Sequence, residues 1–141
     1  MLLRNMQVLE IMKTHVVKTT GEATLAQAAD LLDLYQTTGL PVVDSDGKVQ
    51  GMLTEFDIVR ATLDSGGEAG AERVQDWMSS PAICISENEP LADVKRLLVV
   101  RGLKRIPVIS EAGQLVGVLN RIDLLQAVFE GAIDDDFTDR S

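Results

Sequence analysis

The chain has 141 residues, of which 45% are hydrophobic and 25% charged, so it has the balance of an ordinary globular domain. Its formal net charge of −9 argues against binding nucleic acid across a broad face, because an acidic surface repels phosphate backbones. The single cysteine, Cys84, cannot form an internal disulfide and fits a reducing compartment. Its isoleucine neighbours predict that this thiol lies in a buried strand.

No apolar stretch of the sequence reaches the length that spans a bilayer. The opening residues, 1–7, are too few and too interrupted by polar side chains to act as a secretory signal. We therefore expect a soluble protein of the cytoplasm.

The sequence contains an internal duplication. Gly51–Asp57 reads Gly-Met-Leu-Thr-Glu-Phe-Asp, and Gly117–Asp123, 66 positions later, reads Gly-Val-Leu-Asn-Arg-Ile-Asp. The same offset aligns apolar, proline and glycine positions from Val8 to Ala127 without an insertion or deletion. A repeat of this kind has to be recognised before any fold is assigned, and it predicts two copies of one folding unit.

The first copy begins with a predicted helical turn at 8–12 and a short strand at Thr14–Thr19, where β-branched residues are frequent. Thr24 and Gln27 have the spacing of a capping box. The apolar stripe that follows them predicts a helix ending near Tyr35.

A hairpin and a second helix complete this copy. Strands are predicted at Leu40–Val43 and Val49–Leu53, joined by a turn at Asp44–Gly47 in which glycine supplies a positive φ. Proline interrupts a central strand, so we expect Pro41 to start its strand rather than lie inside it. A helix is predicted at Glu55–Leu63.

The second copy predicts the same order of elements. Its predicted ranges are a strand at Ala82–Ile85, a helix from Leu91 to about Arg101, strands at Ile106–Ile109 and Leu115–Leu119, and a helix at Arg121–Phe129. Pro90 suits the first turn of a helix, where its missing N–H loses no hydrogen bond.

Four segments follow from this organisation. The first repeat is predicted at 1–65 with its core at 8–63, and a linker of small residues at 66–72 joins it to the second repeat at 73–131. The acidic tail at 132–141 is expected to be a disordered terminus, although its three consecutive aspartates could also hold a divalent cation weakly.

The ordered series of motifs resembles the CBS domain, a family named for cystathionine β-synthase. The first copy reads Thr-Leu-Ala-Gln-Ala, Gly-Leu-Pro-Val-Val and Gly-Met-Leu-Thr-Glu-Phe-Asp, and the second reads Pro-Leu-Ala-Asp-Val, Arg-Ile-Pro-Val-Ile and Gly-Val-Leu-Asn-Arg-Ile-Asp. The resemblance covers nearly all of Val8–Glu130. It implies an α/β (α+β) fold in which tandem βαββα CBS repeats pack about a pseudo-two-fold axis.

The same resemblance implies a function. Paired CBS repeats form a Bateman module, whose cleft binds adenosine-type ligands such as AMP, ADP, ATP or S-adenosylmethionine, and cyclic dinucleotides in some members. Such modules commonly form homodimers and sense energy state or metabolites on behalf of another protein. We therefore expect a regulatory nucleotide-binding module that modulates an unknown partner and needs no cofactor beyond its regulatory ligand.

The two strand-to-helix junctions supply the main site candidates. A helix N-terminus favours anionic and hydroxyl-rich ligands, and a carboxylate in the first turn can accept hydrogen bonds from two ribose hydroxyls. Thr54 and Asp57 are the candidates in the first copy, and Asn120 and Asp123 in the second. The same residues also suit a helix cap, so a purely structural role remains an alternative. Asn120 departs from the usual Ser or Thr of the family.

By the resemblance, recognition of the base involves the first strand and the proline strand of each copy. These candidates are Thr14, Val16, Val17, Gly39, Leu40 and Pro41 in the first copy, and Ser80, Ala82, Ile83, Arg105, Ile106 and Pro107 in the second. The alternative for the apolar members is packing in the core.

Cations for a phosphate group are concentrated in the second copy. Lys104, Arg105 and Arg121 stand out against the acidic composition and could form a phosphate clamp. The matched residues of the first copy are Thr38, Gly39 and Glu55. Solvated surface charge is the alternative for the three cations, and the sequence alone does not assign them to one site.

The sequence contains no catalytic Ser-His-Asp set, Cys-His pair, metal-ligand spacing or P-loop. We therefore expect neither an enzyme nor a metal protein. The alternative to the sensor is a ligand-free structural or dimerisation module whose exposed helix faces bind a partner.

Overall fold

A computed structural model of the chain describes residues 6–129. Those residues form two three-stranded sheets and four α-helices, in two successive runs of strand, helix, strand, strand and helix. The predicted α+β class with its doubled βαββα order is confirmed. The predicted acidic tail at 132–141 lies outside the described residues.

The bounds of the elements repeat along the chain. The first run consists of β1 (Thr19–Thr20), α1 (Leu25–Leu34), β2 (Gly39–Val43), β3 (Val49–Thr54) and α2 (Glu55–Ser65). The second run consists of β4 (Ile85–Ser86), α3 (Leu91–Arg101), β5 (Arg105–Ile109), β6 (Leu115–Asn120) and α4 (Arg121–Phe129). Short 3₁₀ turns lie at Val8–Glu10, Ala69–Ala71 and Val74–Asp76.

Both sheets have the same hydrogen-bonding pattern. The short first strand pairs in parallel with the middle strand, which pairs antiparallel with the last strand. A register shift falls at Val42/Val43 in the first sheet and at the matched Val108/Ile109 in the second. The sequence repeat is therefore a repeat of backbone geometry that includes a β-bulge.

The predicted capping box and hairpin turns are present. The Gln27 amide donates to Thr24 Oγ1 at 3.1 Å, and the Thr24 amide donates to Gln27 Oε1 at 2.9 Å. Each side chain therefore satisfies the backbone amide of the other residue at the start of α1. In the two hairpin turns Gly47 and Gly113 have φ of +83° and +84°, where a Cβ would be strained.

Pro41 is the third residue of β2 and not its first, so the prediction that proline starts this strand was wrong. A missing N–H inside a middle strand normally breaks the ladder. Here β1 pairs only with Val42 and Val43. Pro41 therefore has no partner in β1, and its missing N–H removes no hydrogen bond between these two strands. Pro107 occupies the same position in β5. Pro90 is the N-cap of α3 and Leu91 begins that helix.

The first strand of each sheet is shorter and later than predicted. The strand expected at Thr14–Thr19 is β1 at Thr19–Thr20, and the one expected at Ala82–Ile85 is β4 at Ile85–Ser86. Lys13 forms a bridge with Val118, whereas Thr19 pairs with Val42, so residues 14–18 connect two different sheets. β-branched side chains there suggested a strand, but those residues have no ladder to join.

Two compact units result, and they do not coincide with the two sequence copies. The first-sheet unit comprises residues 17–83, and the second-sheet unit combines the segment up to residue 16 with the chain from residue 84 onward. Each unit thus contains the first segment of the other sequence copy. The predicted copy boundaries at 65 and 73 stay a prediction.

In the second-sheet unit, backbone hydrogen bonds attach the N-terminal segment. Lys13 and Val118 exchange two bonds of 2.9 Å, and the Leu91 amide donates to the Met6 carbonyl oxygen at 2.9 Å. In the first-sheet unit, Ser79 and Met52 exchange bonds of 2.9 and 3.0 Å in the matched position. These segments therefore extend the β6 and β3 sides of their sheets.

Each attached segment also contributes to a core. Val8 is fully buried in the core of the second-sheet unit, and the matched Val74 is fully buried in that of the first-sheet unit. Burying one valine side chain contributes about 1.5 kcal/mol. The backbone bonds and this burial together fix both segments against the helix-bearing part of their units.

Gly51 and Gly117 allow the close approach of these segments. A Cβ on Gly51 would lie 2.5 Å from the Ser79 carbonyl oxygen, and one on Gly117 would lie 2.8 Å from the Lys13 carbonyl oxygen. Both distances are shorter than a real contact. Both positions therefore require glycine because the chain's own backbone packs against them.

Candidate functional site

The α2 junction, Thr54–Asp57, is a complete capping box. The Asp57 amide donates to Thr54 Oγ1 at 3.3 Å, and the Thr54 amide donates to Asp57 Oδ2 at 2.8 Å. The Thr54 hydroxyl also donates to Asp57 Oδ2, at 3.1 Å. One carboxylate oxygen is therefore committed to closing the helix, as the structural alternative predicted.

The second oxygen of Asp57 pairs with a cation. Arg60 Nη2 donates to Asp57 Oδ1 at 3.2 Å, and the Asp57 side chain is 8% exposed whereas that of Arg60 is 47% exposed. The guanidinium carbon of Arg60 also lies 5.3 Å from the centre of the Trp77 ring. The cation is thus held between a buried carboxylate and an aromatic face.

The α4 junction, Asn120–Asp123, repeats this geometry with different partners. The Asn120 amide donates to Asp123 Oδ2 at 3.3 Å, and Lys13 Nζ lies 3.5 Å from Asp123 Oδ1. The Asp123 side chain is 6% exposed and that of Lys13 is 60% exposed. The cation here comes from the N-terminal segment, since the residue matched to Arg60 is Gln126.

Both junctions therefore place a buried carboxylate with one oxygen on the backbone and the other on a solvent-exposed cation. Because each cation is largely exposed to solvent, water can solvate it when a hydroxyl-bearing ligand takes its place at the carboxylate. A sugar with adjacent hydroxyls has the hydrogen-bond donors that such an oxygen accepts.

The predicted base-recognition residues fall into both compact units. The second-sheet unit contains Thr14, Val16, Arg105, Ile106 and Pro107, and the first-sheet unit contains Val17, Gly39, Leu40, Pro41, Ser80, Ala82 and Ile83. Thr14 and Val16 of the first copy are thus in one unit with Asp123, and Ser80 of the second copy is in one unit with Asp57. Their role in binding stays a prediction.

Burial separates these candidates further. Leu40 and Ile106 are fully buried members of the two cores, so their side chains are not exposed to a ligand in this structure. The hydroxyl of Ser80 donates to the Gln50 carbonyl oxygen at 2.7 Å. Ala82 and Ile83 are partly exposed, as are Val16 and Val17. The core alternative therefore holds for Leu40 and Ile106.

The three predicted phosphate-binding cations lie close to the α4 junction. The Arg121 amide donates to the Lys104 carbonyl oxygen at 2.8 Å, which joins the start of α4 to the residue before β5. Arg105 is paired in register with Asn120. Lys104 and Arg121 are exposed and Arg105 is partly exposed. All three belong to the second-sheet unit.

Sequence reasoning missed three residues that contact the candidate aspartates or their cations. Arg60 had a local signal, because an acid and a base three positions apart on a helix face are neighbours. Lys13 had none, since its partner Asp123 is distant in sequence and the exchange of segments was not foreseen. Trp77 had no local signal either, because its ring contact with Arg60 depends on the same exchange.

Cys84 precedes β4 and is only partly buried, so the prediction that its thiol lies in a buried strand was wrong. Its partial burial raises the pKa of the thiol. Among residues 6–129 no group of three or more His, Cys, Asp and Glu side chains is arranged to hold a metal ion. No helix in the same range has the length and apolar character needed to cross a membrane.

Two βαββα units, each with a buried aspartate at a strand-to-helix junction, define the class of protein. The sequence pattern of the CBS domain family matches residues 8–64 and 74–130. The chain belongs to the CBS domain family. The resemblance noted from the sequence is therefore confirmed.

A curated relative, the uncharacterized protein MJ1225 of Methanocaldococcus jannaschii, is 32% identical over 122 residues, which are 86% of this chain and 42% of the relative. The chain spans 42%, 22% and 63% of the length of the first three curated relatives it matches. The similarity to these longer proteins therefore concerns a part of each.

Two solved structures are similar over most of their length. The complex of Arabidopsis thaliana CBSX2 with AMP has a TM-score of 0.80 at 23% identity and covers 89% of this chain and 98% of that chain. The CBS domain pair of protein MJ0100, in complex with 5′-methylthioadenosine and S-adenosyl-L-methionine, has a TM-score of 0.75 at 23% identity and covers 90% and 98%. At these identities the likeness establishes the fold.

Proposed function

We propose that this protein is a regulatory module that binds adenosine-type nucleotides through its two strand-to-helix junctions. The observation that carries the proposal is the repeated pair of buried aspartates, Asp57 and Asp123, each with one oxygen on an exposed cation. AMP, ADP, ATP and S-adenosylmethionine are the candidate ligands. The structural neighbours with bound AMP and S-adenosyl-L-methionine support this ligand class.

Capping alone does not account for these carboxylates. The capping box of α1 uses Gln27, and the first turn of α3 carries Asp93, and both of these side chains are exposed. A helix of this protein is therefore closed without burying an acid. Among residues 6–129 the buried charged side chains are Asp57 and Asp123, and their burial at matched positions favours a binding role.

The proposed mechanism of sensing is a competition for the aspartate oxygen. A ribose that donates to Asp123 Oδ1 displaces Lys13, which belongs to the attached N-terminal segment. A ribose on Asp57 displaces Arg60, which contacts Trp77 of the other attached segment. Ligand occupancy thereby changes the contacts of both segments, and a partner protein that binds them would respond.

The test is a binding panel with AMP, ADP, ATP and S-adenosylmethionine, measured by calorimetry and by the shift in melting temperature. We expect at least one ligand to bind and to raise the melting temperature. Asp57→Ala or Asp123→Ala should weaken binding by about ten-fold or more, because each removes an acceptor for two hydroxyls. Asp93→Ala, an exposed acid in the first turn of α3, is the matched control and should leave affinity unchanged.

The proposal fails if none of the four ligands binds to the folded protein in either measurement. It also fails if the Asp93→Ala control weakens binding as much as the two junction variants do, because a general loss of negative charge would then explain the result.

A second candidate function is a homodimeric interaction module, favoured by repeated apolar residues on the last helix of each unit. Phe56, Val59 and Leu63 of α2 are 70%, 57% and 80% exposed. The matched residues of α4 are Ile122, Leu125 and Phe129, with exposures of 55%, 47% and 81%. Spacings of three and four residues put each set on one helix face.

A second copy of the chain suits these stripes because identical surfaces pair readily in symmetric dimers. Light scattering after gel filtration should show a dimer that the double change Phe56→Ser with Leu63→Ser converts to a monomer. Leu34→Ser removes an equally exposed apolar residue from α1 and should not change the mass. A monomeric wild type at all concentrations contradicts this candidate.

A further inference from the structure

The two junctions share a backbone but differ in charge. We propose that the α4 junction selects adenosine ligands that carry phosphate, whereas the α2 junction binds adenosine ligands without regard to phosphate. This inference rests on the proposed function, because it assigns a ligand subclass to each of its two sites. It is argued from the cationic side chains of the second-sheet unit and from the residues that replace them in the first-sheet unit.

Four cationic residues lie at or next to the α4 junction, on three separate stretches of chain. Lys13 lies 3.5 Å from Asp123 Oδ1, Lys104 accepts the Arg121 amide on its carbonyl oxygen at 2.8 Å, and Arg105 is in register with Asn120. All are in one compact unit. The strands and helix that form this junction, β5, β6 and α4, contain a single acidic residue, Asp123. Positive charge therefore exceeds negative charge locally, in a chain whose net charge is −9.

The matched positions around the α2 junction lack this excess. Lys13, Lys104, Arg105 and Arg121 correspond to Ser79, Thr38, Gly39 and Glu55. The backbone bonds are nevertheless conserved between the two units, since the Glu55 amide donates to the Thr38 carbonyl oxygen at 3.0 Å. The two junctions therefore share this backbone hydrogen bond but carry different charges at the matched positions.

Arg60, the cation of the α2 junction, does not replace the missing charges. Its guanidinium is bonded to Asp57 Oδ1 at 3.2 Å and contacts the Trp77 ring. Glu55 begins α2 beside this pair and adds a negative charge. The α2 junction thus has no excess of positive charge, and a phosphate there would meet a glutamate where the α4 junction presents Arg121.

These differences decide the ligand class because charge-assisted hydrogen bonds to phosphate are about twice as strong as neutral ones. A ligand with base and ribose alone uses only the aspartate and the backbone, which both junctions offer. A ligand with phosphate gains charge-assisted contacts at the α4 junction, whereas at the α2 junction Thr38 and Glu55 offer the phosphate no matching cation. Added salt should strongly weaken the phosphate contacts at the α4 junction and have little effect on the contacts of the base and ribose.

The test compares AMP with adenosine, which differ only in the phosphate, in protein whose backbone amides are resolved by NMR. We expect AMP to shift the amides of residues 120–123 at concentrations about ten-fold or more below those needed for adenosine. The amides of residues 54–57 should respond to both ligands within about three-fold of each other. The double change Lys104→Thr with Arg121→Glu installs the residues of the first copy and should abolish the preference for AMP at 120–123.

The reciprocal change Glu55→Arg is the matched control and should create a preference for AMP at the α2 junction without altering the other. If AMP and adenosine bind the α4 junction equally, or if Lys104→Thr with Arg121→Glu leaves the preference intact, the inference is overturned while the proposed function stands.

The charge preference can also be tested if the proposed function fails. If none of the four candidate ligands binds and adenosine does not bind either, the proposed function fails, and inorganic pyrophosphate then tests the charge preference directly. Shifts confined to residues 120–123 support the cationic site. Equal shifts at both junctions, or none at either, overturn it.

Discussion

The two compact units have the same backbone plan and reach it with different side chains. Their sheets share strand order, register and bulge position, and both accept an attached segment at a glycine. Their buried aspartates, however, pair with Arg60 from the same helix in one unit and with Lys13 from the attached segment in the other. The two units also differ in the side-chain contacts made near their attached segments. Glu72 links Ser65 to Trp77 in the first-sheet unit, where the second-sheet unit has Met6 and Ile11 at the positions of Glu72 and Trp77.

The comparison shows which residues serve the fold and which distinguish the two sites. Positions that are matched in type, such as Gly51 with Gly117 and Val8 with Val74, are those that approach backbone or fill a core. The positions that differ include the residues around the junctions, where Thr38 and Glu55 stand against Lys104 and Arg121. A duplicated scaffold thereby retains its folding contacts while each junction has its own charge.

The largest expected effect concerns the glycines, and it tests whether the two attachments are equivalent. Gly51→Ala puts a Cβ 2.5 Å from the Ser79 carbonyl oxygen, and Gly117→Ala puts one 2.8 Å from that of Lys13. Backbone must shift in both, so each change should lower the free energy of unfolding by about 1–3 kcal/mol in denaturant titrations. Gly70→Ala, whose Cβ would be 3.5 Å from Ala26 Cβ, is the control and should cost much less.

A cost at only one of the two glycines would show that one attachment does not persist in solution. A large cost for Gly70→Ala would instead mean that alanine is unfavourable at glycines in general, and the comparison of the two units would lose its support.

Much of this architecture could be predicted from the sequence, because local signals were strong and occurred twice. The capping box at Thr24 and Gln27, the turn glycines and the helix bounds followed from chemistry within a few residues. The short first strands were misplaced because their pairing depends on residues far along the chain. Lys13 was missed for the same reason, since the link to Asp123 requires the segments to be exchanged.

The site was predictable only in part. The aspartates could be placed at the helix starts from their spacing, but spacing does not reveal burial. The same motif at α1 uses an exposed Gln27. Whether a carboxylate serves the helix or a ligand depends on what covers it, and this is a property of packing.

A smaller effect is expected from removing the aspartates, and it sharpens the difference between the junctions. Asp57 accepts two hydrogen bonds from Thr54 and one from Arg60, at 2.8, 3.1 and 3.2 Å. Asp123 has contacts of 3.3 and 3.5 Å with Asn120 and Lys13. Asp57→Ala should therefore lower the free energy of unfolding by about 1–2 kcal/mol, and Asp123→Ala by less.

Chemical denaturation of the ligand-free protein provides this measurement, and Asp93→Ala serves as the exposed first-turn control. Equal losses for Asp57→Ala and Asp123→Ala would contradict the stronger capping at α2. If Asp93→Ala lost as much as Asp57→Ala, the effect would belong to helix-end charge rather than to the capping contacts.

The smallest expected effect concerns Glu72, whose hydrogen bonds to Ser65 and Trp77 occur only in the first-sheet unit among the described residues. Hydrogen bonds from Ser65 and then from Trp77 lower the pKa of Glu72, so its carboxylate is favoured in the folded state. A lowered folded pKa gives stability that is present above the unfolded pKa, about 4.3–4.5, and is lost as the pH falls through the folded value. The difference in melting temperature between the wild type and Glu72→Gln should therefore narrow as the pH is lowered from 7 to about 3. Glu68→Gln, which removes a carboxylate from the same loop without these two hydrogen bonds, is the control for the lost charge. A Glu72→Gln difference that did not change with pH would mean that the two hydrogen bonds do not stabilise the ionised carboxylate.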